Sequence, residues 1–379
     1  MADGLLNKAS IILTPTGYKA GTLYNVAPID EPYEDFDFAR TSTATRINSS
    51  GLVSNVATGV PRISYDSNGD NGHILLEPTS TNLITYSEDF SEWTLGSNST
   101  LIYESDVVAP NGSLGVYRLT NPATSSTFIQ SPSFSSSNPL TVSLYVKSTG
   151  SGNDNFNLYT GASNVSDLKT ATSEWQRFDY TADGSSMYII NSGDTYASDI
   201  YIWGAQAEAL SYATSYIPSL TGSTETRATE TATGAGSADL INSTEGVLYA
   251  EIAALANDGT YRYSISDGTN NNNIYIELGS SNVSAVGRLS GVNQFALSSS
   301  QTITNTNKIA LKYKANDFAL WINGTEVAID TSGSTYLANT LNSLQFDRGD
   351  GFIDFYGKCK ALAVFNEALS DDELNNLTG

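Results

Sequence analysis

Two short stretches and a lone cysteine carry residue types and spacings that could do chemistry. "DSNGDNGHILLE", residues 66–77, sets Asp66, Asn68, Asp70 and Glu77 at positions one, three, five and twelve of a calcium loop. Asn71 stands where the sharp-turn glycine belongs and the flanks read as strands, so a hairpin turn is the better reading. Arg348-Gly349-Asp350 spells an integrin-type tripeptide, but "FDRGDGFIDF" around it reads as an ordinary sandwich turn. His73 is the sole histidine and no G-x-S-x-G elbow accompanies it, so it reads as a solvated turn residue. Cys359, the sole cysteine, falls in an expected strand and reads as a small core residue. Forty Asp and Glu offer pairs for glycoside hydrolysis everywhere and therefore single out none. No catalytic residue, metal ligand or cofactor is expected.

The aromatic residues carry a more specific signal. In "LTVSLYVKS", Leu140, Val142, Leu144 and Val146 face one way, and Thr141, Ser143, Tyr145 and Lys147 the other. In "DNFNLYTG", Phe156 and Leu158 oppose Asn157 and Tyr159. Tyr145 and Tyr159 thus lie on the polar faces of their strands, where a sugar-stacking ring must sit, and are the candidate carbohydrate-binding residues. Tyrosines so placed also line subunit interfaces, the competing reading. Trp175, Trp203 and Trp321 fall inside strands and read as core.

These residues need a β scaffold, and the composition supplies one. The 379-residue chain is 40% apolar but only 15% charged, with 22 tyrosines, which suits short strands and tight turns better than helical bundles. A net charge of −22 argues against nucleic acid and anionic membrane surfaces. One cysteine allows no intrachain disulfide. The N-terminus does not read as a signal peptide, and no apolar run is long enough for a membrane helix.

The fold class expected is all-β: an extended leader and a hairpin-rich connector, then two β-sandwiches. Residues 1–38 form the leader, which is too poor in apolar residues to hold a core alone. Residues 39–87 are the connector, 88–222 the first sandwich, 223–239 a linker and 240–379 the second sandwich. In "IYIWGAQAEALSYATSYIPS", residues 200–219, the apolar strand reads as covered on both faces. Gly204 reads as a site of close backbone approach. "SDDELNNL" closes the chain, with Ser370 and Glu373 forming a capping box, so helix is expected only near residues 370–377.

"FARTSTATRINSSGLV…VPRISYD…ILLEPTSTNLITYSEDFSEW", residues 38–93, resembles a module of bacteriophage virion appendages, both tail and head fibres. "IWGAQAEALSYATSYIPSLTGSTETRA" is similar to the closing segment of the jelly roll that follows that module, a jelly roll of the carbohydrate-binding-module type. The segments "WINGTEV" and "ALAVFNEALSDDEL" resemble a laminin-G or concanavalin A-like sandwich. The resemblance implies a non-enzymatic appendage on the particle surface, made in the host cytoplasm, that attaches to a host glycan or protein. It also implies a homotrimer joined to other virion proteins through the leader. Trp203 would then fill the jelly-roll core. The alternatives are a purely structural capsid or tail decoration and a polysaccharide depolymerase.

Overall fold

The computed structural model describes residues 5–27, 35–124, 127–135, 137–162, 164–191 and 196–379. The chain is all-β, built on two sandwiches, with the short helix Asp371–Thr378 at its end. Ser370 caps that helix and Glu373 returns the second bond of the capping box. Leu374 and Leu377 then pack on Tyr249, Ala310 and Trp321.

One layer of the C-terminal sandwich is a five-stranded sheet. Its order is Val292–Ser300, Asn282–Leu289, Asn273–Gly279, Tyr261–Ser266 and Ser343–Gln345. The facing layer runs Thr325–Asp330, Asp317–Ile322, Asn307–Lys314, Glu245–Ala254 and Gly357–Phe365. Alternation gives Glu245–Ala254 two buried sides. Leu248, Ala250 and Ile252 enter the core between the sheets, while Val247 and Tyr249 lie under the helix.

The far edge of Gly357–Phe365 is closed from the other end of the chain. Ala9–Leu13 pairs antiparallel along its second half, with Ile12 opposite Ala363 and Leu13 opposite Leu362. His73–Leu76 pairs along its first half, with Ile74 opposite Cys359, and Ile63–Ser64 adds a further strand. The expectation that the leader joins other virion proteins through its apolar residues is therefore corrected, since they are buried within the chain. Ile11, Leu13, Leu23 and Phe36 are fully buried in the C-terminal core. An unpaired final strand would present a row of free N–H and C=O groups, and the leader satisfies them within the chain.

The jelly roll is a nine-stranded sheet wrapped around Leu119, Val142, Leu144, Leu158, Ile189 and Ile202. Its central strand, Gln176–Ile190, changes partners along its length. The first part pairs with Ser137–Ser148, and the last with Asn155–Gly161 and Phe128–Gln130. Gly184 sits at the changeover, where a Cβ would fall 2.2 Å from the Thr160 carbonyl oxygen.

The 223–239 segment, expected as a linker, is also paired. Glu225–Arg227 joins Ser80–Asn82, and Thr231–Thr233 joins Phe36–Ala39. Strands far apart in sequence thus hold the two sandwiches together.

Because Leu13 has no exposed surface, Leu13→Ala is expected to destabilise the chain by about 2–5 kcal/mol, the range for a buried leucine. Urea denaturation measures this. A loss below about 0.5 kcal/mol, the usual limit for surface changes, would mean the leader strand is not part of the core.

Candidate functional site

The junction between the sandwiches is organised by charges carried by residues 40–77 and 227–230. Arg40, Arg62 and Arg227 are buried together with Glu77 and Glu230. Arg40 Nη1 donates to Glu230 Oε1 at 2.6 Å, and Arg62 Nε donates to the same oxygen at 2.8 Å. Arg62 Nη2 bridges to Glu230 Oε2 and lies 2.8 Å from Glu77 Oε2, which Arg227 Nη1 approaches at 2.9 Å. Glu77 also accepts from the Ser215 hydroxyl at 2.6 Å and the Ser215 backbone N–H at 2.8 Å. Ser215 lies on the jelly-roll exit, so the network ties that exit to the connector and to the 223–239 segment.

Burial alone would push Glu77 up. The charges of Arg227 and Arg62 and the Ser215 donors outweigh it and hold Glu77 at about 2. Glu77 is thus committed to arginines rather than to a calcium loop. At the other end of that stretch, Asp66 accepts from Asn71 Nδ2 at 2.7 Å and from the backbone N–H groups of Asn68 and Asp70. These bonds fix the turn through Asn71, whose φ is +56°.

The two candidate tyrosines go to different places. Tyr145 does face away from the jelly-roll core, but the face it occupies is covered. The hairpin Ala44–Ile47 and Val53–Val56 and the exit residue Tyr216 close over it, leaving it 8% exposed. Trp203 lies in this same outer cluster, not in the jelly-roll core as the resemblance implies, with its ring 5.6 Å from Tyr145 and 4.9 Å from Tyr216. Gly204 allows that packing. Its φ is +64°, and a Cβ there would meet Tyr145 and Tyr216 at 3.3 and 3.5 Å.

Tyr159 is half-buried on a different face. In the register of three adjacent strands, Gln130 stands opposite Tyr188 and Tyr188 opposite Tyr159, while Phe128 stands opposite Ile190. Ile129, Ile189 and Leu158 point the other way and are fully buried. The outer face therefore carries three half-buried rings in contact. Tyr159 and Tyr188 are 5.2 Å apart, and Phe128 meets Tyr188 edge-on at 6.0 Å. The sequence reading finds Tyr159 but misses Tyr188 and Phe128, because only the pairing register aligns them.

Between the sandwiches lies a cleft of about 300 Å³. Tyr145, Arg177 and Tyr212 from the jelly roll line one side, and Leu75, His73 and Lys358 from the C-terminal sheet line the other. His73 opens a strand and is 8% exposed, so it is not the solvated turn residue that its glycine-rich neighbourhood suggests. Its ring nitrogen Nδ1 lies 2.9 Å from the Asn71 carbonyl oxygen. Burial, helped by the nearby Lys358 and Lys360, lowers His73 to about 4 against that hydrogen bond.

The remaining candidates are internally satisfied. Arg348 and Asp350 pair with each other, Nε to Oδ1 at 3.1 Å and Nη2 to Oδ2 at 2.5 Å, across the intervening glycine. The Cys359 thiol is fully buried and burial raises its pKa. Trp175 is half-buried and donates its Nε1 proton to the Val108 carbonyl at 2.8 Å.

No protein-family model matches the sequence, and no curated protein does. Among solved structures, the CBM40 module of a Ruminococcus gnavus IT-sialidase, bound to alpha2,3 sialyllactose, is similar at a TM-score of 0.32. It is 20% identical over 36% of this chain and 83% of its own. A leech intramolecular trans-sialidase is 21% identical over 36% of this chain and 23% of its own, at 0.32. A SAP-like pentraxin from Limulus polyphemus is 9% identical over 64% of this chain and 82% of its own, at 0.29. At scores this low nothing about ligand or residue roles passes from them to this chain.

Two outcomes follow from the buried charges. Glu230→Gln leaves Arg40 and Arg62 short of their shared carboxylate and is expected to cost about 3–5 kcal/mol in chemical denaturation; a cost below 1 kcal/mol would make the network dispensable. His73, neutral when folded but with an unfolded value near 6.5, contributes stability that is fully present above about pH 6.5 and lost as pH falls toward 4. Replacing it by glutamine is expected to flatten that part of the stability profile, and an unchanged slope would contradict its burial.

Proposed function

We propose that this chain is a non-enzymatic bacteriophage virion appendage, a tail or head fibre component, whose jelly roll meets a glycan on the host surface. The observation that carries this reading is the row of Phe128, Tyr188 and Tyr159 on the outer face of three paired strands. Half-buried rings fixed by a sheet offer apolar surface to the C–H face of a sugar. Tyr159 anchors its own hydroxyl on the Ala162 carbonyl at 3.1 Å, which orients the ring before any ligand arrives.

The resemblance of residues 38–93 and 202–228 to virion modules supports a place on the particle surface. Repeated copies, a homotrimer in this reading, would convert weak single contacts into firm adsorption, because each later contact is effectively intramolecular. The apolar residues of the leader are buried within the chain, so joining to other virion proteins runs through a different surface. A non-enzymatic role accords with Glu77 and Glu230 being paired to arginines instead of lining an open groove.

One feature favours a structural decoration as the second reading. The edge strand Thr100–Val108 and its hairpin partner expose Ile102, Tyr103, Val108 and Leu114, each at 50% or more. Such an apolar edge suits packing against another virion protein.

Glycan-array binding by the purified chain separates the two. Host-surface glycans are expected to bind, with Tyr188→Ala and Tyr159→Ala each weakening binding about tenfold, the equivalent of roughly 1.4 kcal/mol. Binding to no glycan by a multivalent preparation would leave the decoration role, and binding unchanged in both variants would remove the Tyr159 row as the glycan site. Turnover of host polysaccharide would overturn the non-enzymatic reading.

A further inference from the structure

The cleft between the sandwiches gathers positive charge in a chain of net charge −22. Arg46, Arg177 and Lys358 line it, and a contiguous hollow of about 360 Å³ shares Tyr65, His73 and Lys358 with it and adds Lys360. Among the described residues, none of these four cations forms an ion pair with a carboxylate. Arg46 Nη1 donates to the Tyr18 hydroxyl at 2.8 Å, and Arg177 donates from Nη1 to the Thr214 carbonyl at 2.5 Å and from Nη2 to the Ser143 hydroxyl at 2.9 Å. These neutral partners leave the positive charge of both groups uncompensated, and among the described residues their buried Nε atoms have no hydrogen-bond partner.

Neither carboxylate at the cleft is free to do so. Glu77 is held by Arg62, Arg227 and Ser215, and Asp66 by its own turn. Several other basic residues also lack an ion pair among the described residues, so what sets this cleft apart is the gathering of four such cations around one opening. That concentration of positive charge suits an external anion.

The rest of the lining narrows the class. Arg177 holds its guanidinium 5.6 Å from the centre of the Tyr145 ring, and Tyr65, Tyr212 and Leu75 add further ring and apolar surface. A small inorganic ion would use the donors and leave that surface idle. A pyranose ring covers it, and a carboxylate on the ring is attracted by the guanidinium groups and by Lys358. The volume lies at the small end of the range for ligand sites, about 300–1,000 Å³.

We infer that this cleft is a binding site for an acidic sugar, a monosaccharide unit carrying a carboxylate, distinct from the Tyr159 row. The site draws on both sandwiches and the connector, so it exists only in the intact chain.

Isothermal titration of the full chain with glucuronate, glucose and inorganic phosphate tests this. Glucuronate is expected to bind, with glucose and phosphate each at least tenfold weaker. Arg177→Gln and Lys358→Gln should each weaken glucuronate about tenfold, Lys358→Gln without moving the thermal midpoint, and Tyr159→Ala should leave it unchanged. Lys358 is exposed, so its variant folds even where the Arg177 variant does not. The inference is overturned if wild type fails to bind glucuronate, if glucose or phosphate binds as tightly, if Lys358→Gln has no effect, or if Tyr159→Ala abolishes binding. Failure here leaves the Tyr159 row untouched, because that row carries no cation of this set.

Discussion

The buried contact of Arg62 with Glu230 and Glu77 is the constraint on which the arrangement of the two sandwiches depends. Moving a guanidinium and two carboxylates out of water costs several kcal/mol per ion, and their attraction offsets this only with good geometry and full hydrogen bonding. Both conditions hold here. Arg62 donates to Thr45 and Ser215 as well as to both glutamates, and Glu230 also accepts the backbone N–H of Glu77 at 3.0 Å. A polar cluster satisfied this way tolerates one arrangement of its segments and penalises slippage. The segments are the connector, the jelly-roll exit and the strand leading to the second sandwich. Fixing them fixes the junction.

That junction explains why the termini are interleaved. With the connector held, His73–Leu76 is delivered to one half of the last strand, and the leader reaches the other half. The C-terminal sandwich therefore cannot complete its sheet from residues 240–379 alone. Its core includes Phe36, Phe38, Ile74 and Ala232, all from outside that range. A chain arranged like this folds its second sandwich around its own beginning, a long-range closure with a large loop entropy.

Much of the architecture is legible in the sequence because it rests on local periodicity. The alternation in Leu140–Val146 correctly separates core from outer face, and the capping box correctly marks the only α-helix among the described residues. What is not legible depends on contacts between distant segments. The apolar run Ile11–Leu13 states that it must be buried but not by what. Tyr145 sits on the polar face of its strand, yet the 44–56 hairpin lies over that face. Arg40, Arg62, Glu77 and Arg227 are present in the stretches that resemble virion modules, and Glu230 follows just after the second of them. Nothing in their spacing indicates that they converge, since partners lie up to 190 residues apart. The Phe128–Tyr188–Tyr159 row is hidden for a related reason: alternation assigns each ring a face, but only register makes them neighbours.

The charge pattern links these levels. A surface with 22 more negative than positive charges repels acidic polymers at long range, and it lowers the rate at which any anionic ligand arrives. Within a cleft walled by protein, however, field lines from the local cations are focused and less screened than at the open surface. In a chain with so large an excess of acid, four cations without a carboxylate partner gathered around adjoining hollows are informative. The network beside it sharpens the point, because Arg62 and Arg227 take Glu77 out of competition. The ion cluster that locks the sandwiches together thus also keeps the neighbouring carboxylate from neutralising the cleft, so one set of buried charges sets both the rigidity of the junction and its electrostatic sign.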